Sequence, residues 1–218
     1  HQRCEVVPNC VDTDVFKPID RHQARFLLNL NPDKRYVLFG AMSSTSDTRK
    51  GFHALLPALK ALAGSSDHAR NTELLVFGAH APTQPPDFGL PTHYLGTFHD
   101  DLSLALLYNA ADVLAAPSMQ DNLPNTLVEA HACGTPCVAF SIGGMPDLIA
   151  HGETGQIVAP FSVEEFSLGL SKCLNPDESL RERCRERALQ NWSDRIVAEH
   201  YLDLYLEWTA ACPDQADR

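Results

Sequence analysis

The sequence predicts an α/β fold: a Rossmann-like, doubly wound parallel sheet of about six strands with a helical C-terminal tail. Three observations carry this. Short apolar runs alternate with segments of helical period along most of the chain. The runs Tyr36-Val37-Leu38-Phe39 and Leu74-Leu75-Val76-Phe77 are apolar without interruption, as expected of strands covered on both faces. From Ser162 onward the strand-like runs stop and only helical patterns remain.

The elements follow in order. Strands are expected at residues 36–39, 74–77, 93–95, 113–115, 137–140 and 156–158. Between the first two, Phe52, Leu55, Leu56, Leu59 and Leu62 recur at helical spacing, with Pro57 expected to bend the helix. Asp100 and Asp101 cap a helix that carries Leu104, Leu107 and Tyr108 on one face. Pro124 suits the first turn of a helix running to about Cys133, and Gly134 ends it. Pro146 opens a short helix through Ile149, and the tail reads as helices at 163–174, 177–190 and 194–211. The run from Arg181 to Arg187 alternates in sign, which predicts a solvated helix face rather than a basic binding site.

Composition bounds the function. The chain has 218 residues, 44% hydrophobic and 21% charged, which is an ordinary packed globule rather than a disordered chain. With 17 Lys+Arg against 28 Asp+Glu, its formal net charge of −11 argues against nucleic acid as a ligand. No apolar run approaches a membrane span, and residues 1–5 do not open a signal peptide. The 7 cysteines form no CxxC pair and the histidines no HExxH, so neither a disulfide framework nor a zinc site is expected. Buried thiols in a reducing, cytoplasmic setting are the expectation. Val6-Val7-Pro8-Asn9-Cys10-Val11-Asp12 opens abruptly, like a connection between domains of a longer protein.

In a doubly wound sheet of order 3-2-1-4-5-6, ligands sit beyond the carboxyl ends of the strands where the winding reverses. That places the loops 40–49 and 117–123 together. The first ends in Arg49-Lys50-Gly51, two cations suited to a diphosphate, or surface charges, beside a glycine that lets backbone come close. Neither a P-loop nor GxGxxG follows the first strand. The second loop leads into a helix whose first turn offers the N–H groups of Asn125 and Thr126 to a phosphate. Glu129 stands one turn further, roughly 6 Å along the axis, about the offset between a phosphate and its ribose. Asp121 precedes the helix, facing whatever projects beyond the phosphates, or serving as a turn residue. Ser141-Ile142-Gly143-Gly144-Met145-Pro146 is a strand-to-helix turn that admits either a ligand or tight packing.

Together, Val7-Pro8-Asn9-Cys10-Val11-Asp12 with Phe16, Arg49-Lys50-Gly51, Ala111-Asp112-Val113 leading to Pro117-Ser118, Asp121-x7-Glu129-Ala130, Cys133-Gly134-Thr135-Pro136, Gly143-Gly144 and Gly152-x-Thr154-Gly155 resemble glycosyltransferase family 4. The resemblance spans nearly the whole chain in the family's order and spacing. It looks like a single donor-binding domain, residues 1–218, forming one half of a GT-B architecture. Residues 194–211 would be a C-terminal helix packing toward a missing N-terminal acceptor domain. With its Gln-Asp-Asn-Leu-Pro-Asn loop the chain looks similar to bacterial members that resemble transferases of exopolysaccharide and lipopolysaccharide assembly.

The resemblance implies a retaining transfer from a nucleotide-diphosphate sugar, UDP- or GDP-linked, with no cofactor and no essential metal. Lys50 would stabilise the leaving diphosphate, helped by Arg49. Glu129 would hold the ribose, and Asp121 would meet the donor sugar or the reacting face. Asn122, Leu123, Asn125 and Thr126 would hold phosphate and sugar, with Thr97 and Phe98 bordering the base. Asp121 stands where the family has a Glu, Ala41 where it often has an Arg, and Cys10 where it usually has a Gly. The implied setting is cytoplasmic, with peripheral membrane association through the missing domain. A non-catalytic nucleotide- or sugar-binding module is the alternative; Phe77-Gly78-Ala79-His80 lacks what a nicotinamide enzyme needs.

Overall fold

A computed structural model describes residues 5–40, 48–65, 71–175 and 179–211. Its centre is a parallel sheet of order β3-β2-β1-β4-β5-β6, built from β1 (Arg35–Gly40), β2 (Thr72–Phe77), β3 (Thr92–Tyr94), β4 (Val113–Ala116), β5 (Cys137–Phe140) and β6 (Gly155–Val158). Every pairing is parallel, with Phe39 opposite Val76 on one side and Ala115 on the other. The six expected strands are all present, with ends shifted by a residue or two at five of them. The helices are α1 (Arg21–Leu27), α2 (Phe52–Gly64), α3 (Asp101–Ala110), α4 (Asn125–Ala132), α5 (Met145–Leu148), α6 (Val163–Leu174), α7 (Ser179–Asn191) and α8 (Asp194–Ala211).

Strand alternation divides the core between the two sheet faces. Tyr36, Leu38, Leu75 and Leu114 point into one cluster with residues of α1, α3, α4 and Trp192. Val37, Phe39, Leu74, Val76 and Val138 point into the other with residues of α2 and α6. Because both faces are covered, β4 and β5 are apolar throughout and β1 and β2 are apolar over residues 36–39 and 74–77. Helix α2 continues through Pro57, which lies inside it. Asp100 and Ser162 cap α3 and α6 through bonds from Ser103 N and Glu165 N.

Two expectations are corrected. Helix α1 lies in a stretch where no element was expected: its buried residues are Ala24 and Arg25, while Phe26 and Leu27 are exposed, so its pattern inverts the usual one. Arg25 instead anchors it, donating to Ala110 O, Pro32 O and, at 2.7 Å, Asp112 Oδ2. Asp112 also accepts from Tyr36 N, so the Ala111-Asp112-Val113 motif clamps the foot of the sheet. Second, the alternating run on α7 is not a solvated face. Arg181 donates to Ala111 O and Cys133 O, Arg183 to Glu153 O, Arg185 to Thr13 O, Phe16 O and Ala132 O, and Arg187 to Asp147 O and Leu148 O. Four guanidinium groups satisfy carbonyls of loops and of the C-terminal ends of α4 and α5.

The entry segment is pinned as well: Val11 N donates to Trp192 O and Asn9 Nδ2 to Asn125 Oδ1. Helix α8 leaves Tyr201, Leu202, Tyr205, Leu206 and Trp208 exposed along its length. Among the described residues, no helix is long and apolar enough to cross a membrane. Ala41, the rest of the loop through Asp47, and Asp177, the first residue expected of α7, lie outside the described residues.

Candidate active site

At the carboxyl edge, the loops after β1 and β4 meet where the winding reverses. Their crossing is close: Met119 N donates to Arg49 O at 2.7 Å. Gly51 makes this possible, because its φ is 70° and a Cβ there would stand 1.7 Å from Pro117 O. On the other side, a Cβ at Gly144 would stand 2.1 Å from Asn122 O, and one at Gly143 would stand 1.9 Å from Asp121 O. The close approaches these glycines permit are thus made by the loop after β4. That loop is held between two glycine turns, which fixes Asp121.

Beneath the crossing lies a cavity of about 360 Å³. Phe39, Phe77, Leu114, Ala115 and Met145 give it apolar walls. Six of the expected site residues line it together: Lys50, Thr97, Phe98, Asp121, Thr126 and Glu129. Lys50 Nζ is 3.0 Å from Asp121 Oδ2, a pair with side chains 37% and 19% exposed. The cation expected to face a diphosphate and the carboxylate expected to face a sugar thus touch across the mouth. Pro124 precedes α4 without a side-chain cap, so its first turn opens to the cavity beside Thr126.

The remaining residues take other places. Arg49 is exposed and contributes its carbonyl to the loop crossing. Asn122 N donates to Asp121 Oδ1, and Leu123 packs against the core. Asn125 faces a second hollow of about 160 Å³ with Cys10, Asp12 and Asp101, and Glu129 borders both hollows. Sequence reasoning missed Tyr108, whose hydroxyl donates to Glu129 Oε2 at 2.7 Å. Its helical spacing marked it only as a core ring; the partner lies 21 residues away on another helix, with no local signal.

Electrostatics distinguish Glu129. Burial raises its pKa, the Tyr108 hydrogen bond opposes that rise, and Asp101 adds to it. Burial, then the Glu129 charge, hold the Tyr108 hydroxyl well above its ordinary value. Among the described residues, no group of three or more His, Cys, Asp and Glu is placed to hold a metal. What the described residues of the cleft offer is the Lys50 cation, helix N–H groups, two carboxylates at different depths and aromatic walls.

A parallel sheet of order 3-2-1-4-5-6 carrying this cleft at its reversal point defines a doubly wound α/β domain. Residues 33–176 match the family model described as glycosyl transferases group 1, and the chain belongs to that family. Among particular proteins it is similar to the D-inositol 3-phosphate glycosyltransferase of Mycobacterium tuberculosis (strain ATCC 25618 / H37Rv), 33% identical over 217 residues. That alignment covers 94% of this chain and 43% of the relative. The chain therefore spans less than half the length of the curated relatives it matches. Sucrose-phosphate synthase from Thermosynechococcus elongatus superposes with a TM-score of 0.77 at 26% identity, covering 95% of this chain and 53% of that one. Anabaena Alr3699/HepE in complex with UDP-glucose has a TM-score of 0.72 at 21% identity, covering 93% and 57% respectively. The sheet and its flanking helices are the Rossmann-like α/β fold of GT-B glycosyltransferases.

Proposed function

We propose that this chain is the donor-binding half of a retaining glycosyltransferase of family 4, taking a nucleotide-diphosphate sugar, UDP- or GDP-linked, as its substrate. The observation that carries the reading is the convergence of Lys50, Asp121, Thr126 and Glu129 on one apolar-walled cavity at the reversal point of the sheet. The similarity to a protein described in complex with UDP-glucose supports the nucleotide class. Glu129 accepts hydrogen bonds from ribose hydroxyls, and Thr97 and Phe98 border the base. Lys50 and the first turn of α4 oppose the diphosphate charge. As the bond from sugar C1 to the diphosphate oxygen breaks, the negative charge building on that oxygen is met by Lys50. The acceptor hydroxyl bonds to C1 and passes its proton to the departing diphosphate oxygen, and Asp121 faces the sugar.

The exposed apolar face of α8 is covered by an acceptor-side domain that precedes this one, through which the enzyme sits peripherally at a membrane. The acceptor is a glycan or lipid-linked saccharide of bacterial exopolysaccharide or lipopolysaccharide type. Because a lysine and helix N–H groups already oppose the diphosphate, nucleotide binding needs no metal. The test is a calorimetric screen of UDP-, GDP- and ADP-sugars with and without EDTA. One nucleotide class binding equally in both arms is expected. Absence of binding to all three overturns the donor site, and binding lost in EDTA overturns the metal-independent reading.

A further inference from the structure

The contact between Tyr108 and Glu129 has no part in the roles assigned above, although both side chains line the cavity. We propose that Tyr108 is a positioning residue, holding Glu129 ionised and aimed so that its second oxygen can receive ribose hydroxyls; this rests on the reading of the cleft as a nucleotide-sugar site. Three observations converge on it. The Tyr108 hydroxyl donates to Oε2 at 2.7 Å, leaving Oε1 as the remaining acceptor of a half-buried carboxylate. The tyrosine cannot swing away: its carbonyl accepts from Thr135 Oγ1 at 2.8 Å, and its ring is packed edge-on against Phe77 at 6.1 Å and tilted against Phe16 at 6.3 Å. Phe77 in turn packs edge-on against Phe98 at 6.5 Å. A row of rings therefore runs under the cleft, from the residue proposed to border the base to the one that holds the ribose acid.

A carboxylate drawn out of water favours its neutral form, and a neutral carboxyl is a poorer acceptor. The groups that share Glu129's two hollows are Tyr108 and Asp101 from α3, Asp12 and Cys10 from the entry segment, and Lys50 and Asp121 across the cleft. Of these Tyr108 is the one that donates a hydrogen bond to the carboxylate, and Asp101 works against ionisation. Removing the hydroxyl leaves burial and Asp101 unopposed.

Tyr108→Phe keeps the ring and deletes only the donor. UDP-glucose is the ligand to use, because its bridging diphosphate takes up no proton between about pH 5 and pH 8. In titrations run from neutral toward acid pH, affinity of the unaltered 218-residue chain falls as Glu129 takes up its proton. Tyr108→Phe begins that fall at higher pH and weakens binding about tenfold near neutrality. In a Glu129→Gln background, which flattens the profile, Tyr108→Phe costs nothing further. Carbon NMR of the ligand-free chain reads the same linkage directly, the Glu129 carboxyl titrating higher in Tyr108→Phe. An unchanged Glu129 titration, or an equal loss of affinity with and without Glu129, assigns Tyr108 a purely structural role and overturns the proposal while leaving the donor site standing. Failure of the unaltered chain to bind any nucleotide sugar, with the NMR shift present, overturns the donor site and the proposed role in ribose binding.

Discussion

At the scale of single residues, the proposed function gives the two cleft carboxylates different work, and their loss is expected to separate. Glu129→Ala removes the charged acceptor proposed to hold the ribose, so bare UDP and UDP-glucose are both expected to weaken by about 1.5–3 kcal/mol, tenfold or more. Asp121 is paired with Lys50, a partly exposed contact of the kind worth ~0.2–1 kcal/mol. Asp121→Ala frees that lysine, so UDP binds as tightly or a few-fold more tightly, whereas UDP-glucose loses its sugar contact; paired calorimetric titrations check both. His131 gives a separate stability prediction. It is fully buried, its Nδ1 lies 2.7 Å from Leu127 O, and burial lowers its pKa from 6.5 to about 4. The folded state therefore resists the proton that the unfolded chain accepts. Stability is complete above about pH 6.5 and is lost as pH falls toward 4, by about 3 kcal/mol for a shift of that size. Denaturant titrations at stepped pH measure the slope, and His131→Leu is expected to flatten it.

At the scale of elements, the loop after β4 depends on the glycines that face it. Gly51→Ala puts a methyl into Pro117 O and forces a residue with a Cβ to a φ of 70°. Such strain costs on the order of 1–3 kcal/mol, or the loop moves and Asp121 with it. A lowered Tm together with weakened UDP-glucose binding is expected, and Gly64→Ala, which meets nothing within 4 Å, serves as the matched control. The same elements show what a sequence discloses. Strands β1 and β2 were legible because burial on both faces leaves an unbroken apolar run in each, residues 36–39 and 74–77, behind polar residues at the strand starts. The cleft loops were legible because lysine, carboxylates and a helix start fell at spacings that geometry brings together. Helix α1 was not, since the pairs of Arg21 and Arg25 with Asp112 and the bonds of Arg25 to backbone carbonyls, rather than an apolar stripe, hold it down. The α7 arginines misled because a fork aimed at distant carbonyls reads locally as a solvent-facing charge. The glycines signalled close approach, but only the fold shows that the chain itself makes it.

For the whole molecule, the proposed function places every cleft residue on the donor side, so the 218-residue chain is expected to bind UDP-glucose yet transfer its sugar to no acceptor. Product formation by this chain alone, followed with labelled donor, would count against that division. A second expectation concerns where the domain can be cut. Residues 33–176 hold all six strands and the cleft, and would look like a minimal domain. They omit the four α7 arginines, whose forks serve carbonyls of residues 111, 132, 133, 147, 148 and 153, and they omit Trp192, buried at 2% exposure against His131. A chain trimmed to that span is expected to be insoluble or to melt without a cooperative transition. The shape of the loops around the sheet is thus written far downstream of them, and a nascent chain carries every strand before it carries the instructions that fix its edges.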